Sequence, residues 1–162
     1  NMILTIEKKT EVLLSKLARL PLSLLLIAGL LILAVCMFTL AAFTNQAPVG
    51  VPIFDTLWER ILVAIFVAPL LETLLFQYAI IETCRNQFKS YWIGILFSAL
   101  AFGISHHYSS HFVIATTFAG FDLAVLYAVL KVKGSHPFWY VTLIHATFNL
   151  FITVMKYITD SN

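Results

Sequence analysis

Charge is scarce in this chain. Ten Lys and Arg residues and eight Asp and Glu residues make up 11% of its 162 positions, where a soluble domain carries about 25%. Hydrophobic residues fill 60% of the sequence and its mean hydropathy is +0.93, which excludes an ordinary water-soluble globular domain and makes lipid the main solvent. The basic residues are scattered in short groups and the formal net charge is only +2, so the chain lacks the continuous basic surface that nucleic acid requires. Cysteine is nearly absent. Cys36 sits within an apolar run and Cys84 beside Arg85 at the end of another, which excludes a disulfide framework. Internal repeats and low-complexity stretches are also missing, and Asn1 before Met2 reads as an added residue outside the fold.

What the chain has instead is apolar length. At about 20 residues per span there is room for four to six crossings in one bundle. Residues 2–20 read as an interfacial amphipathic helix: Ile3, Ile6, Leu13, Leu17 and Leu20 recur near helical spacing, while Glu7, Lys8, Lys9, Glu11 and Lys16 take other positions. Pro21 interrupts it. Residues 21–162 then form a single transmembrane bundle. Leu22 to Phe43 is the first span, and Thr44 to Pro52, with two prolines, a glycine and two side-chain amides, is a loop. The second span covers about Leu57 to Ile81, and the polar segment Glu82 to Ser90 separates it from the third, Tyr91 to about His106. The fourth runs from about Phe112 to Leu130 and the fifth from about Phe138 to Tyr157. The expected fold is therefore all-α and polytopic, with about five transmembrane helices plus the N-terminal interfacial helix. An N-terminus inside the cell places Lys8, Lys9, Lys16, Arg19, Arg85, Lys89, Lys131 and Lys133 on the cytoplasmic side and leaves Arg60 and Lys156 outside, as the positive-inside rule prefers.

A charged or imidazole group in hydrocarbon persists by facing a partner or a wet cavity. Glu72 in the second span, His106 at the end of the third, and His145 with Asn149 in the fifth all need such an explanation. His145 and Asn149 are four residues apart and share a helix face. At about 1.5 Å per residue, Glu72, His106, His145 and Asn149 lie roughly 10 to 22 Å from the cytoplasmic ends of their helices, a depth at which they can converge.

These residues also carry a family resemblance. Ala68-Pro69-Leu70-Leu71-Glu72-Thr73-Leu74-Leu75-Phe76-Gln77 resembles the first motif of the CAAX protease and bacteriocin-processing (CPBP, or Abi) family, an Ala-Pro lead followed by Glu-Glu-x-x-x-Arg. Phe102-Gly103-Ile104-Ser105-His106 is similar to the second motif, Phe-x-x-x-His, and His145-Ala146-Thr147-Phe148-Asn149 to the third, His-x-x-x-Asn. The resemblance spans about Ala68 to Asn149. It departs from the family at Thr73, in place of the second Glu, and at Gln77, in place of the Arg. A carboxylate and a guanidinium at that spacing form an intrahelical ion pair, and Thr73 with Gln77 reads as its uncharged, hydrogen-bonded substitute that supports the site.

The resemblance implies an intramembrane endopeptidase in which Glu72 and His106 activate water, and chemistry agrees that a carboxylate can take a proton from water and return it to a leaving amine. His145 and Asn149 would then donate to the oxyanion. No cofactor is expected. A zinc site built from Glu72, His106 and His145 competes with this reading, but His145 is paired at i, i+4 with an amide and there is no His-Glu-x-x-His. A cysteine nucleophile ranks lower. A peptide- or lipid-binding protein with the same fold, of the bacteriocin-immunity type, and an ion carrier are the other classes. The expected partners are the lipid bilayer and a peptide or membrane-protein substrate, with no nucleic acid. Asp122 either backs the site or links to Gln77 or Thr73. His107 and His111 read as interfacial, His136 as a loop residue, and Phe66, Phe97 and Phe118 as lipid-facing or packing residues.

Overall fold

A computed structural model describes residues 2–44 and 56–160. Residue 1 and most of the loop expected over Thr44 to Pro52 lie outside the described residues. Among those described there are helices and no strand: α1 (Met2–Leu17), α2 (Leu22–Thr44), α3 (residues 57–88), α4 (Tyr91–Ser105), α5 (Ser110–Lys133) and α6 (Pro137–Asp160). The protein is an all-α membrane bundle. Segments Leu22–Thr39, Trp58–Phe88, Ser110–Lys133 and Pro137–Ile158 are each long and apolar enough to cross a bilayer.

Local chemistry fixes where the helices start and stop. Thr56 and Glu59 cap α3 reciprocally, the Thr56 amide donating to Glu59 Oε2 at 3.1 Å and the Glu59 amide to Thr56 Oγ1 at 3.2 Å. Ser90 and Ser109 cap α4 and α5, accepting from the Ile93 and Phe112 amides at 3.1 and 3.2 Å. At the end of α5, Gly134 adopts φ 75°. The Ser135 amide then reaches back to the Leu130 carbonyl at 3.0 Å and the Gly134 amide to that of Lys131 at 3.1 Å, closing a Schellman turn. Pro137 starts α6, where its missing N–H costs nothing.

The helix α3 corrects the expectation that residues 82–90 form a polar linker. It continues unbroken to Phe88 and stops only at Lys89, which adopts a left-handed φ of 54°. The reason is tertiary. Glu82 faces α5, where Lys131 Nζ pairs with it at 2.7 Å and the Tyr127 hydroxyl donates at 3.0 Å, so its charge needs no loop. Two stretches of α3, Ile61–Val67 and Thr73–Ile80, wind as wider π turns on either side of Ala68–Glu72. Such turns often mark functional positions.

The helix α5 is the centre of the bundle: 61% of its apolar window is buried, against 22% in each of the other three long spans. It lies between α2 and α4, and glycines bring those helices close. A Cβ added at Gly29 on α2 would meet Leu126 at 3.1 Å, and one at Gly120 on α5 would meet Phe102 of α4 at 2.8 Å. The tightest approach is at Gly103, where a Cβ would fall 1.9 Å from Thr117 Oγ1 and 3.0 Å from Thr117 Cα. Phe66, Phe97 and Phe118 are exposed on the outer surface.

The amphipathic helix α1 is tied to the bundle by polar bonds at both ends. Glu7 accepts from the Tyr91 and Trp92 amides at 2.8 and 3.2 Å and from the Ser90 hydroxyl, satisfying the free amides at the start of α4. Lys133 Nζ donates to the Ala18 and Leu20 carbonyls at 3.0 and 2.9 Å just past the end of α1. Between these ties Leu14 is buried in the core.

Gly103→Ala is expected to destabilise the purified protein by about 1–3 kcal/mol through overpacking. Thr117→Ala should recover only part of that loss, because removing Oγ1 leaves the Thr117 Cα at 3.0 Å. Thermal unfolding in detergent of the two single mutants and the double mutant checks both statements.

Candidate active site

The helix α4 is short. Its 15 residues, at about 1.5 Å each, extend about 22 Å, less than the roughly 30 Å of bilayer hydrocarbon. It is thus shorter than a full span, and His106 is its terminal cap residue, with its amide on the Gly103 carbonyl at 3.0 Å. The close contact at Gly103 seats this end of α4 against α5.

His106 Nδ1 lies 2.7 Å from the Phe102 carbonyl. A carbonyl only accepts, so Nδ1 carries the proton and, in the neutral ring, Nε2 presents its lone pair. That Nε2 is 3.8 Å from Glu72 Oε1, while His145 Nε2 is 3.5 Å from Glu72 Oε2. One carboxylate is thus flanked by two imidazoles from two other helices. His145 is buried and its Nδ1 has no hydrogen-bond partner among the described residues. One turn further along α6, Asn149 Nδ2 donates to the Ala64 carbonyl of α3 at 2.8 Å.

Glu72, His106, His145 and Asn149 line one cavity of about 170 Å³. The rest of its wall is mostly apolar, with Leu33 and Met37 from α2, Phe112 and Leu123 from α5, and Phe148 and Ile152 from α6. This combination of an apolar chamber with a few converging polar groups is what a ligand or substrate site needs. Among the described residues, no group of three or more His, Cys, Asp or Glu side chains is arranged to hold a metal ion.

Phe102 is a residue whose role the sequence reading left unassigned. Its ring centroid lies 4.5 Å from that of His106, 5.6 Å from that of His145 and 5.5 Å from that of Phe76, and its base rests on Gly120. It wedges both imidazoles in place. The signal was its i, i+4 spacing to His106, which puts the two rings on one helix face.

The supporting residues need correction. Thr73 and Gln77 are both fully buried, yet Thr73 Oγ1 and both polar atoms of Gln77 have no hydrogen-bond partner among the described residues, so the expected bond between them is not formed. They lie in the wider-wound Thr73–Ile80 stretch, and both side chains are enclosed in the bundle interior without reaching one another. Asp122 neither lines the cavity nor reaches Thr73 or Gln77. It projects toward α2, where its Oδ2 would be 3.9 Å from a Cβ at Gly29, because the other faces of α5 are filled by α4 and by cavity residues such as Ala119 and Leu123. His107, His111 and His136 are exposed.

A family model described as type II CAAX prenyl endopeptidase, Rce1-like, matches residues 53–151. The chain belongs to this family. The match contains the cavity-lining Glu72, His106, His145 and Asn149, and the bundle that carries them is the integral membrane body of an Rce1-like protein. No curated protein and no solved structure matches the chain.

Because the Gln77 amide is buried without a partner, Gln77→Met should be neutral or raise the unfolding temperature, since shape is kept and an unpaired polar group removed. Gln77→Arg places an unpaired cation in the core and should destabilise by about 3–5 kcal/mol. Thr73→Glu added to Gln77→Arg should recover part of that loss, and equal unfolding temperatures for the single and double variants would show that positions 73 and 77 do not form a pair.

Proposed function

We propose that this Rce1-like protein hydrolyses a peptide bond at the membrane by direct attack of water, with the C-terminal peptide of a prenylated protein as the substrate class that the family's name supplies. The observation that carries the reading is the Glu72 carboxylate held 3.5 and 3.8 Å from two imidazole Nε2 atoms inside an apolar cavity.

In this reading Glu72 takes one proton from a water molecule while the lone pair of His106 Nε2 accepts a hydrogen bond from its other O–H and orients it. The hydroxide attacks the scissile carbonyl carbon, and the electron pair of the C=O bond moves to oxygen. That oxyanion is met by the Nε2–H of neutral His145 and by the Asn149 amide proton not committed to the Ala64 carbonyl. The C–N bond then breaks as Glu72 returns its proton to the leaving nitrogen, which frees a new carboxyl end and a new amine. Glu72 ends as it began. Because Asn149 and the bond from His106 to Phe102 hold their side chains before substrate arrives, little reorganisation is needed at the moment of reaction. The apolar walls exclude bulk water and raise the value of each donor.

A second reading has a specific observation behind it. The charged pair of the motif that the first motif resembles is here Thr73 and Gln77, buried and without a hydrogen-bond partner among the described residues, which suits a protein that binds a peptide or lipid in the same cavity without cutting it. A cleavage assay on purified protein in detergent, with prenylated and unprenylated C-terminal peptides, separates the two.

Glu72→Gln keeps shape and hydrogen bonding but removes the base, so turnover should vanish while the unfolding temperature is unchanged. Asn149→Ala should retain weak turnover, slower by about 10²- to 10³-fold as for loss of one oxyanion donor. Wild-type rates in Glu72→Gln would sink the mechanism.

Activity should survive prolonged treatment with strong chelators, and metal analysis of the active protein should find no stoichiometric zinc. The donor that shares a face with His145 is an amide, a poor zinc ligand. Loss of activity on chelation that zinc alone restores would replace the water mechanism above with a metal-assisted one.

A further inference from the structure

The Ala64 carbonyl is an unusual hydrogen-bond acceptor. In an α-helix it would receive the amide of residue 68, and in a π turn that of residue 69. Neither amide serves it. The Ala68 N–H is turned to the Val63 carbonyl, and residue 69 is proline, which has no N–H. In a lipid environment such an orphan must find a partner within the protein, and it receives the Asn149 side-chain amide from α6 at 2.8 Å. Pro69 is itself buried, and Ala64, Ala68 and Asn149 line the same cavity as Glu72. His145 lies one turn from Asn149 on the same face of α6, with its Nε2 3.5 Å from Glu72.

We propose that Pro69 is a positioning residue for the reaction assigned to this site. By denying the Ala64 carbonyl an intrahelical donor, Pro69 creates the acceptor on which the Asn149 amide is held. That bond sets the face of α6 carrying Asn149 and His145 against Glu72, which follows Pro69 by less than one turn of the same helix. The Ala-Pro lead of the first motif and the Asn of the third are therefore two halves of one device. The proposal rests on the peptidase reading and deepens it: one N–H of Asn149 is a latch to α3, which leaves the other aimed at the reacting centre.

The latch makes a prediction that an oxyanion donor alone does not. Pro69→Ala returns an N–H at position 69, so in either helical register a backbone amide can serve Ala64 and compete with Asn149. The variant should fold with an unfolding temperature at or above that of the wild type, because alanine favours helix. Its kcat should nevertheless fall about 10- to 100-fold with KM held, as expected for a small misplacement of reacting groups. In an Asn149→Ala background, Pro69→Ala should cost nothing further. Asn149→Ala should also lower the unfolding temperature more in the wild type than in Pro69→Ala, where Ala64 keeps a donor. Wild-type kcat in Pro69→Ala, the same fold-loss in both backgrounds, or equal shifts in unfolding temperature would each overturn the proposal. Pro69→Ser restores the same N–H and serves in its place where Pro69→Ala does not accumulate. The stability arm needs no turnover. If the native protein cleaves nothing, the peptidase reading falls, while unequal shifts in unfolding temperature still support the Pro69–Asn149 latch and equal shifts overturn it.

Discussion

A carboxylate placed in the interior of a lipid-embedded bundle has few places to go, and the arrangement around Glu72 follows from that constraint. Water is not freely available to solvate it, and an unpaired charge in hydrocarbon is costly. The protein's solution is to surround the carboxylate with polar groups from separate helices: the His106 imidazole from α4, the His145 imidazole from α6, and an amide one turn further on. For these groups to meet, α3, α4 and α6 must cross at one depth. The glycine contacts that draw α4 onto α5 serve that requirement, since a bundle held farther apart would separate the imidazoles from the carboxylate.

The shortness of α4 belongs to the same arrangement. A helix of 15 residues is shorter than a full span, and it places its cap residue, His106, beside Glu72. Ending a helix there leaves backbone groups to satisfy, and the structure does so locally. The His106 amide and ring both turn back on the last turn of α4, to the Gly103 and Phe102 carbonyls. The opposite end of α4 is held by Glu7 of the amphipathic helix α1. The position of the His106 imidazole is thus referred through α4 to its bonds with α1.

Polar satisfaction is uneven across the bundle. Glu82 is fully engaged by Lys131 and Tyr127, and the Ala64 carbonyl exposed by Pro69 is taken up by Asn149. Thr73 Oγ1, the Gln77 amide, Ser98 Oγ and His145 Nδ1, by contrast, are buried without a hydrogen-bond partner among the described residues. The register between α3 and α4 runs from Gly94 against Ile81, through Phe102 against Phe76, to His106 against Glu72. It puts Ser98 at the level of Gln77. Thr73 and Gln77 are thus neutral and without a hydrogen-bond partner among the described residues.

That the chain is a helical membrane bundle is legible in its residues alone, because hydrocarbon admits only segments that satisfy their own backbone and long apolar runs declare themselves. The sequence also singled out Glu72, His106, His145 and Asn149, since such groups are conspicuous within apolar runs and i, i+4 spacing puts two of them on one face whatever packs against it. Everything that depended on a partner from another helix was decided by tertiary structure. Glu82 reads as the start of a linker until Lys131 and Tyr127 neutralise it within a continuing helix. Asp122 could have faced the site or Gln77, and only the packing of α5 between α2 and α4 turned it toward Gly29. The i, i+4 spacing of Thr73 and Gln77 suits a bonded pair, but both are enclosed in the packed interior without a hydrogen bond among the described residues. Phe102 is marked only by its i, i+4 spacing to His106, and the Ala64 carbonyl only by the proline five residues on; the side chains each one meets come from the helices opposite. Local composition sets which groups must be buried or paired; only the assembled helices choose the partner.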